Sequence, residues 1–288
     1  MTSHARADIG GRPVAVIGAG TLGRRIALMF ATRGGEVRLT DPSAEQREDG
    51  ARFAAEQLPE VVRAVEGGTP GRVVAVEDLE QAVAGAWLVV EAVPERLELK
   101  RQVFAELDRL APADAVLASN SSSYPTSRFL DGVTRPERVV NLHFYMPPRS
   151  VAVEIMSSGR TDPAVVRLLM EVVPAYGLVP FEVHGESTGF IYNRIWAAVK
   201  REALAVVAEG VATPEEVDRI FRITLGTQRG PFQIMDGVGL DVVLDIEEHY
   251  ADERPGLPEG PRRLLREYVD RGWLGAKSGR GFYADDER

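Results

Sequence analysis

The chain has 288 residues, of which 44% are hydrophobic and 27% charged, a composition that is typical of globular proteins and excludes wholesale disorder. Its net charge of -9 disfavours nucleic acid as a partner, and no apolar run approaches the ~20 residues of a bilayer crossing, so we expect no membrane partner. The absence of cysteine excludes disulfides, thiolate metal sites and a cysteine nucleophile, and it fits a cytoplasmic location.

The first half of the chain alternates predicted strands with predicted helices. Residues 1–12, which are polar and include His4, precede this pattern and are expected to form a loose tail. Ser43 and Gln46 form a predicted capping box that opens one of the helices. Apolar runs predict strands over residues 14–17, 36–40, 73–76, 87–93, 115–119 and 139–144, with helices over 22–33 and 95–110 among the connections. The alternation predicts an α/β fold with a Rossmann-type, doubly wound, mostly parallel sheet.

The pattern changes in the second half of the chain. Further elements are predicted as a strand over residues 150–156, a helix over 163–176 and a strand over 179–183. From Thr188 onward helical patterns continue almost without strand signal, and Thr213-Pro214-Glu215-Glu216 is a strong helix start. We therefore predict a Rossmann domain over residues 1–187 and an all-α domain over residues 188–288.

A glycine-rich segment connects the first predicted strand to the first predicted helix. Its sequence is Gly18-Ala19-Gly20-Thr21-Leu22-Gly23, and in this context GxGxxG is a dinucleotide-binding pattern. The first glycine permits a tight turn, the second lets the backbone approach a pyrophosphate, and the third allows close packing of helix on strand. The helix N-terminus then offers free N–H groups to the phosphates. The alternative is a glycine-rich turn that serves packing alone.

Asp41 ends the second predicted strand, 18 residues beyond Gly23. A carboxylate at this position accepts hydrogen bonds from a ribose 2′-hydroxyl and repels a 2′-phosphate, which favours NAD over NADP as the cofactor. Asp41 also suits the turn that it forms with Pro42, and both interpretations can hold together.

Further motifs follow the glycine loop in order along the chain. They are Val90-Glu91-Ala92-Val93-Pro94-Glu95, Ser119-Asn120-Ser121-Ser122-Ser123, His143-Phe144, Gly189-Phe190-Ile191-Tyr192-Asn193-Arg194, Gly230-Pro231-Phe232, Val238-Gly239-Leu240-Asp241 and Lys277-Ser278-Gly279-Arg280-Gly281-Phe282-Tyr283. The ordered set resembles the 3-hydroxyacyl-CoA dehydrogenase family, and the similarity runs from about Pro13 to Tyr283.

The resemblance implies that His143 is the general base and that Glu154 is its partner. A histidine near neutrality suits removal of a hydroxyl proton as a carbinol carbon loses hydride, and a carboxylate on the other ring nitrogen fixes the tautomer. From the residues alone, His143 is equally a satisfied polar residue at a strand end, and Glu154 an exposed acid. The spacing of 11 between them is one less than the family pattern, so the intervening loop is expected to be short.

The resemblance also implies roles for Ser122 and Asn193, which match positions that hydrogen-bond the reacting oxygen and hold the substrate. Asn193 falls in the opening helix of the second predicted domain, so closure of the two domains is expected to complete the site. Without the resemblance, Ser122 would be interpreted as an ordinary loop serine and Asn193 as an amide on a helix surface.

Glu95, Lys100 and Lys277 match family positions around the cofactor, and Thr21, Leu22 and Ser122 join them as expected cofactor contacts. Without the resemblance, each of the three charged residues would be interpreted as a solvated surface charge. Lysine occurs only at positions 100, 200 and 277. Two of these three lysines match the family's cofactor positions, which favours the functional interpretation.

Two features depart from the family pattern. Met146 stands where members commonly carry asparagine, which replaces polar groups near the nicotinamide by a flexible apolar side chain. The segment between Asp41 and Glu95 is short and contains no lysine, whereas in many members a helical hairpin there brings basic residues to the CoA phosphates. Met146 predicts an altered substrate or cofactor pocket rather than lost chemistry, and the short segment leaves the recognition of CoA open.

The leading hypothesis is a reversible NAD-dependent dehydrogenase of an L-3-hydroxyacyl thioester, bound to CoA or to a carrier protein, in fatty acid metabolism. One alternative is a dehydrogenase of a free 3-hydroxy acid or polyol acid, with Arg149 or another basic residue on the carboxylate. Another is a non-catalytic NAD-binding protein on the same fold. No metal ligand set is recognised, and a homodimer formed through the helical domain is expected.

Overall fold

The structure, a computed structural model, describes residues 9–284. Its strands are β1 (Val14–Ile17), β2 (Glu36–Thr40), β3 (Arg72–Ala75), β4 (Leu88–Glu91), β5 (Val116–Ser119), β6 (Val139–Phe144), β7 (Ala152–Ser157) and β8 (Val179–Val183). Its α-helices are α1 (Thr21–Phe30), α2 (Ala44–Ala64), α3 (Leu79–Val83), α4 (Leu97–Leu110), α5 (Pro163–Val172), α6 (Tyr192–Ala208), α7 (Pro214–Leu225), α8 (Pro231–Val238), α9 (Leu240–Glu253) and α10 (Gly260–Val269). The chain divides after Ile191 into two compact units.

The first unit is built on one eight-stranded sheet in the order β3-β2-β1-β4-β5-β6-β7-β8. Neighbouring strands are parallel except for β6 and β7, which are antiparallel. The chain winds outward from β1 to β3 and then in the other direction from β4, so the strand order reverses between β1 and β4. The predicted doubly wound, mostly parallel sheet is confirmed.

Both faces of the sheet are covered by apolar layers. Along β1, Val14 and Val16 join one core with α1, α2 and α5, whereas Ala15 and Ile17 join the other core with α3 and α4. Successive side chains of a strand point to opposite faces, so a strand that is apolar at every position is buried on both sides. This explains why the central strands read as unbroken apolar runs.

The segment before β1 differs from the predicted loose tail. Residues 1–8, including His4, lie outside the described part of the chain. Ile9 packs against the first core, and Arg12 forms an ion pair with Asp114 while donating to the carbonyl of Ala86. The prediction was wrong for residues 9–12 because the partners of Arg12 are distant in sequence and leave no local pattern.

The helix ends show two further differences. Ser43 caps α2 by accepting a hydrogen bond from the Gln46 N–H, but the Ser43 N–H donates to Asp41 Oδ1 at 2.9 Å, so only half of the predicted capping box forms. The helix predicted to reach Tyr176 is α-helical only to Val172 and then becomes a 3₁₀-helix over Val173–Tyr176. Pro174 lacks an N–H, which explains the change.

The second unit is helical throughout, apart from turns, in its described residues, as predicted. Its core joins α6, α8, α9 and α10 to the C-terminal aromatic pair Phe282 and Tyr283. The predicted capping box at Thr213 opens α7, with Glu216 returning a hydrogen bond to the Thr213 N–H. Asp218 on α7 accepts hydrogen bonds from two N–H groups at the start of α8 and from the Tyr283 hydroxyl. These bonds fasten the three segments together.

Candidate functional site

The candidate site lies in the first unit, at the carboxyl ends of the strands next to the β1/β4 reversal. In doubly wound sheets, ligands bind in the crevice that opens at such a reversal. A cavity of about 300 Å³ is present there. Its lining comes from α1, from the segments after β4 and β5, and from the end of β6: Leu22, Ala92, Val93, Glu95, Lys100, Asn120, Ser122, His143, Phe144 and Tyr145.

The glycine loop has the shape that a dinucleotide pyrophosphate requires. Gly18 has a φ of 106°, and a Cβ there would stand 2.6 Å from the Ala92 carbonyl oxygen. A Cβ on Gly23 would stand 1.8 Å from the Gly18 carbonyl oxygen, so helix and loop are in direct contact. A Cβ on Gly20 would meet no atom closer than 4.0 Å. Two glycines therefore serve packing, while the Gly20 backbone faces open space, where a phosphate fits.

Asp41 lies at the end of β2 and braces this loop. Its Oδ2 accepts a hydrogen bond from the Ala19 N–H at 2.9 Å, while Oδ1 accepts from Ser43. The carboxylate is half-buried and thus keeps contact with solvent beside the loop. Its role in the loop and turn is directly visible, and its contact with a ribose stays a prediction.

Lys100 is not the solvated surface charge that local composition alone would suggest. Its ammonium group is buried and lies 2.8 Å from Glu91 and 3.1 Å from Glu95. Burial alone would lower the pKa of Lys100, but the two carboxylates outweigh burial and raise that pKa. The charge is therefore retained inside the protein.

Glu95 joins this buried lysine to the serine-rich loop after β5. It accepts hydrogen bonds from the Ser121 hydroxyl at 2.6 Å and from the Ser123 N–H at 2.9 Å. Burial tends to raise the pKa of Glu95, but Lys100 and these hydrogen bonds hold that pKa below its ordinary value. The contacts fix the backbone on either side of Ser122, which lines the cavity from an exposed position.

His143 and Glu154 face each other across the antiparallel pair β6 and β7. They are directly opposite in the register, and His143 Nδ1 lies 3.2 Å from Glu154 Oε2. Both side chains are buried. A carboxylate only accepts, so this contact assigns the ring proton to Nδ1 and leaves the lone pair on Nε2. The spacing of 11 residues is thus compatible with a direct pair.

Three residues that were not assigned from the sequence hold this pair in place. The Tyr145 hydroxyl donates to Glu154 Oε2 at 2.5 Å, and its ring meets the imidazole edge to face. The Ile191 N–H donates to Glu154 Oε1 at 2.9 Å. Phe190, the only non-glycine residue with positive φ in the described chain, stacks on His143 at 4.8 Å between ring centroids. Strained backbone of this kind clusters at functional sites.

Two more polar residues of the sequence motifs, Glu91 and Asn120, contribute to the site although no role is predicted for them from the sequence. Buried Glu91 accepts from Ser119 at 2.6 Å and from the Val93 N–H at 2.8 Å, as well as from Lys100. Asn120 Oδ1 accepts from the Phe144 N–H at 2.8 Å, which ties the end of β5 to β6. A carboxylate that closes an apolar buried strand was a signal available in the sequence.

Asn193 and Lys277 belong to the second unit. Asn193 is the second residue of α6 and is half-buried. Lys277 lies in a 3₁₀-helix over Ala276–Ser278, and its ammonium group pairs with Asp241 in the first turn of α9. Their expected contacts with substrate and cofactor stay predictions.

Two general features of the described chain complete the description. No helix within residues 9–284 is long and apolar enough to cross a membrane. Across the same residues, no three acidic or histidine side chains gather in a group that would hold a metal ion.

Comparison with known proteins covers both units. Residues 13–187 match the family model described as 3-hydroxyacyl-CoA dehydrogenase, NAD binding domain, and residues 189–285 match the 3-hydroxyacyl-CoA dehydrogenase, C-terminal domain. The chain is 34% identical over 287 residues to a probable 3-hydroxybutyryl-CoA dehydrogenase of Bacillus subtilis, an alignment that covers 96% of this chain and 98% of that protein.

Other relatives carry different names. A solved diketoreductase, described as acting on dicarbonyl compounds, superposes with a TM-score of 0.80 at 33% identity, over 96% of this chain and 99% of that chain. The 5-formyl-3-hydroxy-2-methylpyridine 4-carboxylate 5-dehydrogenase of Mesorhizobium japonicum is 30% identical, over 94% of this chain and 90% of that protein. With both family models matched, the chain belongs to the 3-hydroxyacyl-CoA dehydrogenase family of oxidoreductases, and its first unit is that family's NAD-binding domain.

Proposed function

We propose that the protein interconverts an L-3-hydroxyacyl thioester and its 3-oxoacyl form with NAD, using His143 as the general base. The observation that carries this proposal is the buried His143–Glu154 pair, whose imidazole lines a cavity beside a dinucleotide-binding glycine loop. A proton acceptor next to a hydride acceptor is what oxidation of a secondary alcohol requires. Family membership sets aside the non-catalytic alternative.

Each residue of the site has a separate proposed role in the reaction. NAD supplies the hydride acceptor when it is bound. His143 Nε2 takes the hydroxyl proton as the carbinol carbon becomes a carbonyl, and Glu154 at Nδ1 stabilises the imidazolium that results. Ser122 donates a hydrogen bond to the reacting oxygen, and Asn193 holds the substrate. Donors of this kind contribute ~3 kcal/mol to transition-state stabilisation when they are well placed.

Cofactor binding is assigned to the first unit, with one contact from the second. Gly18, Gly20, Thr21, Leu22 and Gly23 form the phosphate loop, and Asp41 selects NAD through the ribose 2′-hydroxyl. Glu95, Lys100 and Ser122 complete the nicotinamide end, where Glu95 and Lys100 act by holding the serine loop. Lys277 supplies a cation from the second unit.

The substrate class is argued from the family. Its members imply an acyl-CoA-type substrate, and the Bacillus subtilis relative is named for 3-hydroxybutyryl-CoA. The diketoreductase is named for dicarbonyl compounds, which shows that relatives act on more than thioesters. The Mesorhizobium japonicum relative is named for a pyridine carboxylate, which favours a free acid as the second candidate. Met146, exposed in the β6–β7 loop directly after the cavity residue Tyr145, is where this chain departs from the family pattern.

A substrate panel tests this proposal. It holds acetoacetyl-CoA, longer 3-oxoacyl-CoAs, L-3-hydroxybutyrate and a polyol acid, with formation or loss of NADH as the measurement. Turnover of the thioesters is expected. Turnover confined to the free acids would replace the thioester assignment by the second candidate. The homodimer, the cytoplasmic location and a place in fatty acid metabolism stay predictions.

A further inference from the structure

Three arginines gather beside the reaction cavity, on the second turn of α1 and in the loop between β6 and β7. The guanidinium carbons of Arg24 and Arg25 lie 4.6 Å and 5.2 Å from the centre of the Phe53 ring on α2. Arg25 Nη1 donates to the Pro147 carbonyl at 3.2 Å. Arg149 is two residues beyond Pro147 in the same loop, which places it beside Arg25. In agreement with this placement, the pKa of Arg25 is lowered by burial first and then by the charges of Arg24 and Arg149.

Among residues 9–284, no carboxylate pairs with these charges. Within the part of the chain that the structure describes, none of Arg24, Arg25 and Arg149 forms an ion pair, and the Nε atoms of Arg24 and Arg25 are buried without an acceptor. The chain carries 43 acidic residues against 34 basic ones, so acids are not scarce. Arginines elsewhere in this unit, such as Arg12 and Arg138, are paired with aspartate.

The cluster lies near the start of α1 and next to the cavity. α1 begins at Thr21 with no acidic residue in its first turn, so its positive dipole end adds to the two arginines instead of opposing them. Leu22, one turn before Arg25, lines the reaction cavity, and so does Tyr145, two residues before Pro147. The cluster therefore adjoins the cavity at the start of α1.

We propose that Arg24, Arg25 and Arg149 bind an anionic group of the substrate remote from its reacting carbon, namely a phosphate of a phosphopantetheine-bearing thioester. This inference rests on the proposed thioester substrate. Guanidinium groups present paired N–H donors that match phosphate oxygens, and the Phe53 ring holds two of them side by side. α2 has no lysine and its three arginines stand among five acidic residues, so the cluster would be the stronger source of positive charge. A substrate carboxylate shares this chemistry and is distinguished in the test.

The test compares Arg25→Gln and Arg149→Gln with the wild-type protein on two thioesters. Acetoacetyl-CoA carries phosphates, and acetoacetyl-pantetheine carries none. Each variant is expected to raise KM for acetoacetyl-CoA about tenfold more than KM for acetoacetyl-pantetheine, because one charge-assisted contact to phosphate is lost. Arg52→Gln is the matched control, since Arg52 adjoins Phe53 on α2 but is exposed and paired with Asp49. It is expected to change neither KM.

A binding measurement separates this inference from the proposed function. Calorimetric titration with adenosine 3′,5′-bisphosphate needs no turnover, and Arg25→Gln is expected to weaken its affinity about tenfold. If thioesters are not turned over but this arginine-dependent affinity is present, the proposed function fails and the anion site stands. Equal KM effects on both thioesters, or equal bisphosphate affinity in wild type and Arg25→Gln, would overturn the site. If the arginine variants raise KM only for L-3-hydroxybutyrate, the group bound by the cluster is a carboxylate and the phosphate assignment is overturned.

Discussion

The hydroxyl of Tyr145 is a side-chain donor to the carboxylate of the proposed catalytic pair. Tyr145 and His143 both contact Oε2 of Glu154, so the hydroxyl holds the oxygen atom that orients the imidazole. Tyr145 is therefore a positioning residue for the proposed base.

Tyr145→Phe should lower kcat of alcohol oxidation about fivefold and leave the substrate KM and the NAD affinity unchanged. The reason is that Glu154 loses one hydrogen bond of ~1 kcal/mol that holds it beside His143. The measurement is kcat and KM for NADH formation, with NAD affinity from titration. Tyr176→Phe, which removes a hydroxyl from the ring packed on Phe30, should leave all three values unchanged.

An unchanged kcat in Tyr145→Phe, in a protein that melts at the wild-type temperature, would show that the hydroxyl does not act through Glu154.

At the level of elements, Lys100 ties α4 to the end of β4 and to the serine loop. It carries a buried charge between two carboxylates, one of them fully buried. Removing one partner of such a group leaves an uncompensated buried charge. The position of α4 therefore depends on the Lys100 ion pairs in its first turns and on apolar packing further along the helix.

Lys100→Met should lower the free energy of unfolding by about 3 kcal/mol. Lys277→Met is the comparison, because its ion pair with Asp241 is largely exposed and should contribute less than ~1 kcal/mol. Urea unfolding followed by circular dichroism measures both. Glu91→Gln/Lys100→Met, which removes both buried charges, should recover part of the loss. Equal costs for the two lysine variants would contradict this account of the buried pair.

The contribution of Lys100 and Glu95 to stability should also depend on pH. The pKa of Lys100 is raised above its ordinary 10.5, so its contribution is complete below that pH and disappears as the pH rises through the folded value. The pKa of Glu95 is lowered below 4.5, so its contribution is complete above that pH and disappears as the pH falls through the folded value. In wild type the combined contribution of these two groups should therefore be constant between ~pH 5 and ~pH 10 and should fall outside that range, as measured by urea unfolding at a series of pH values.

For the whole molecule, the fold was predictable because its signals are local. Apolar runs such as β1 and β4 and the Thr213 capping box determine element type within a few residues. The burial of Lys100 also had a local signal: on α4 it shares a face with Leu97, Phe104 and Leu107 at helical spacing.

Other features depend on contacts that no local pattern records. Arg12 forms an ion pair with Asp114, more than a hundred residues away in the sequence. Tyr145 forms its hydrogen bond with Glu154 only because β6 and β7 pair in one register. The arginine cluster likewise joins α1, α2 and the β6–β7 loop. Sequence similarity supplied His143 and Glu154, and the register explains why they meet despite the short spacing between them.

The role of His143 is tested by measuring the rate of NADH formation from L-3-hydroxybutyryl-CoA in wild type and His143→Gln, together with the NAD affinity of both proteins. Loss of a general base should lower kcat by roughly 10²–10⁴-fold while NAD affinity stays the same. A His143→Gln protein that binds NAD and oxidises the substrate within tenfold of the wild-type rate would contradict the assignment of His143 as the base.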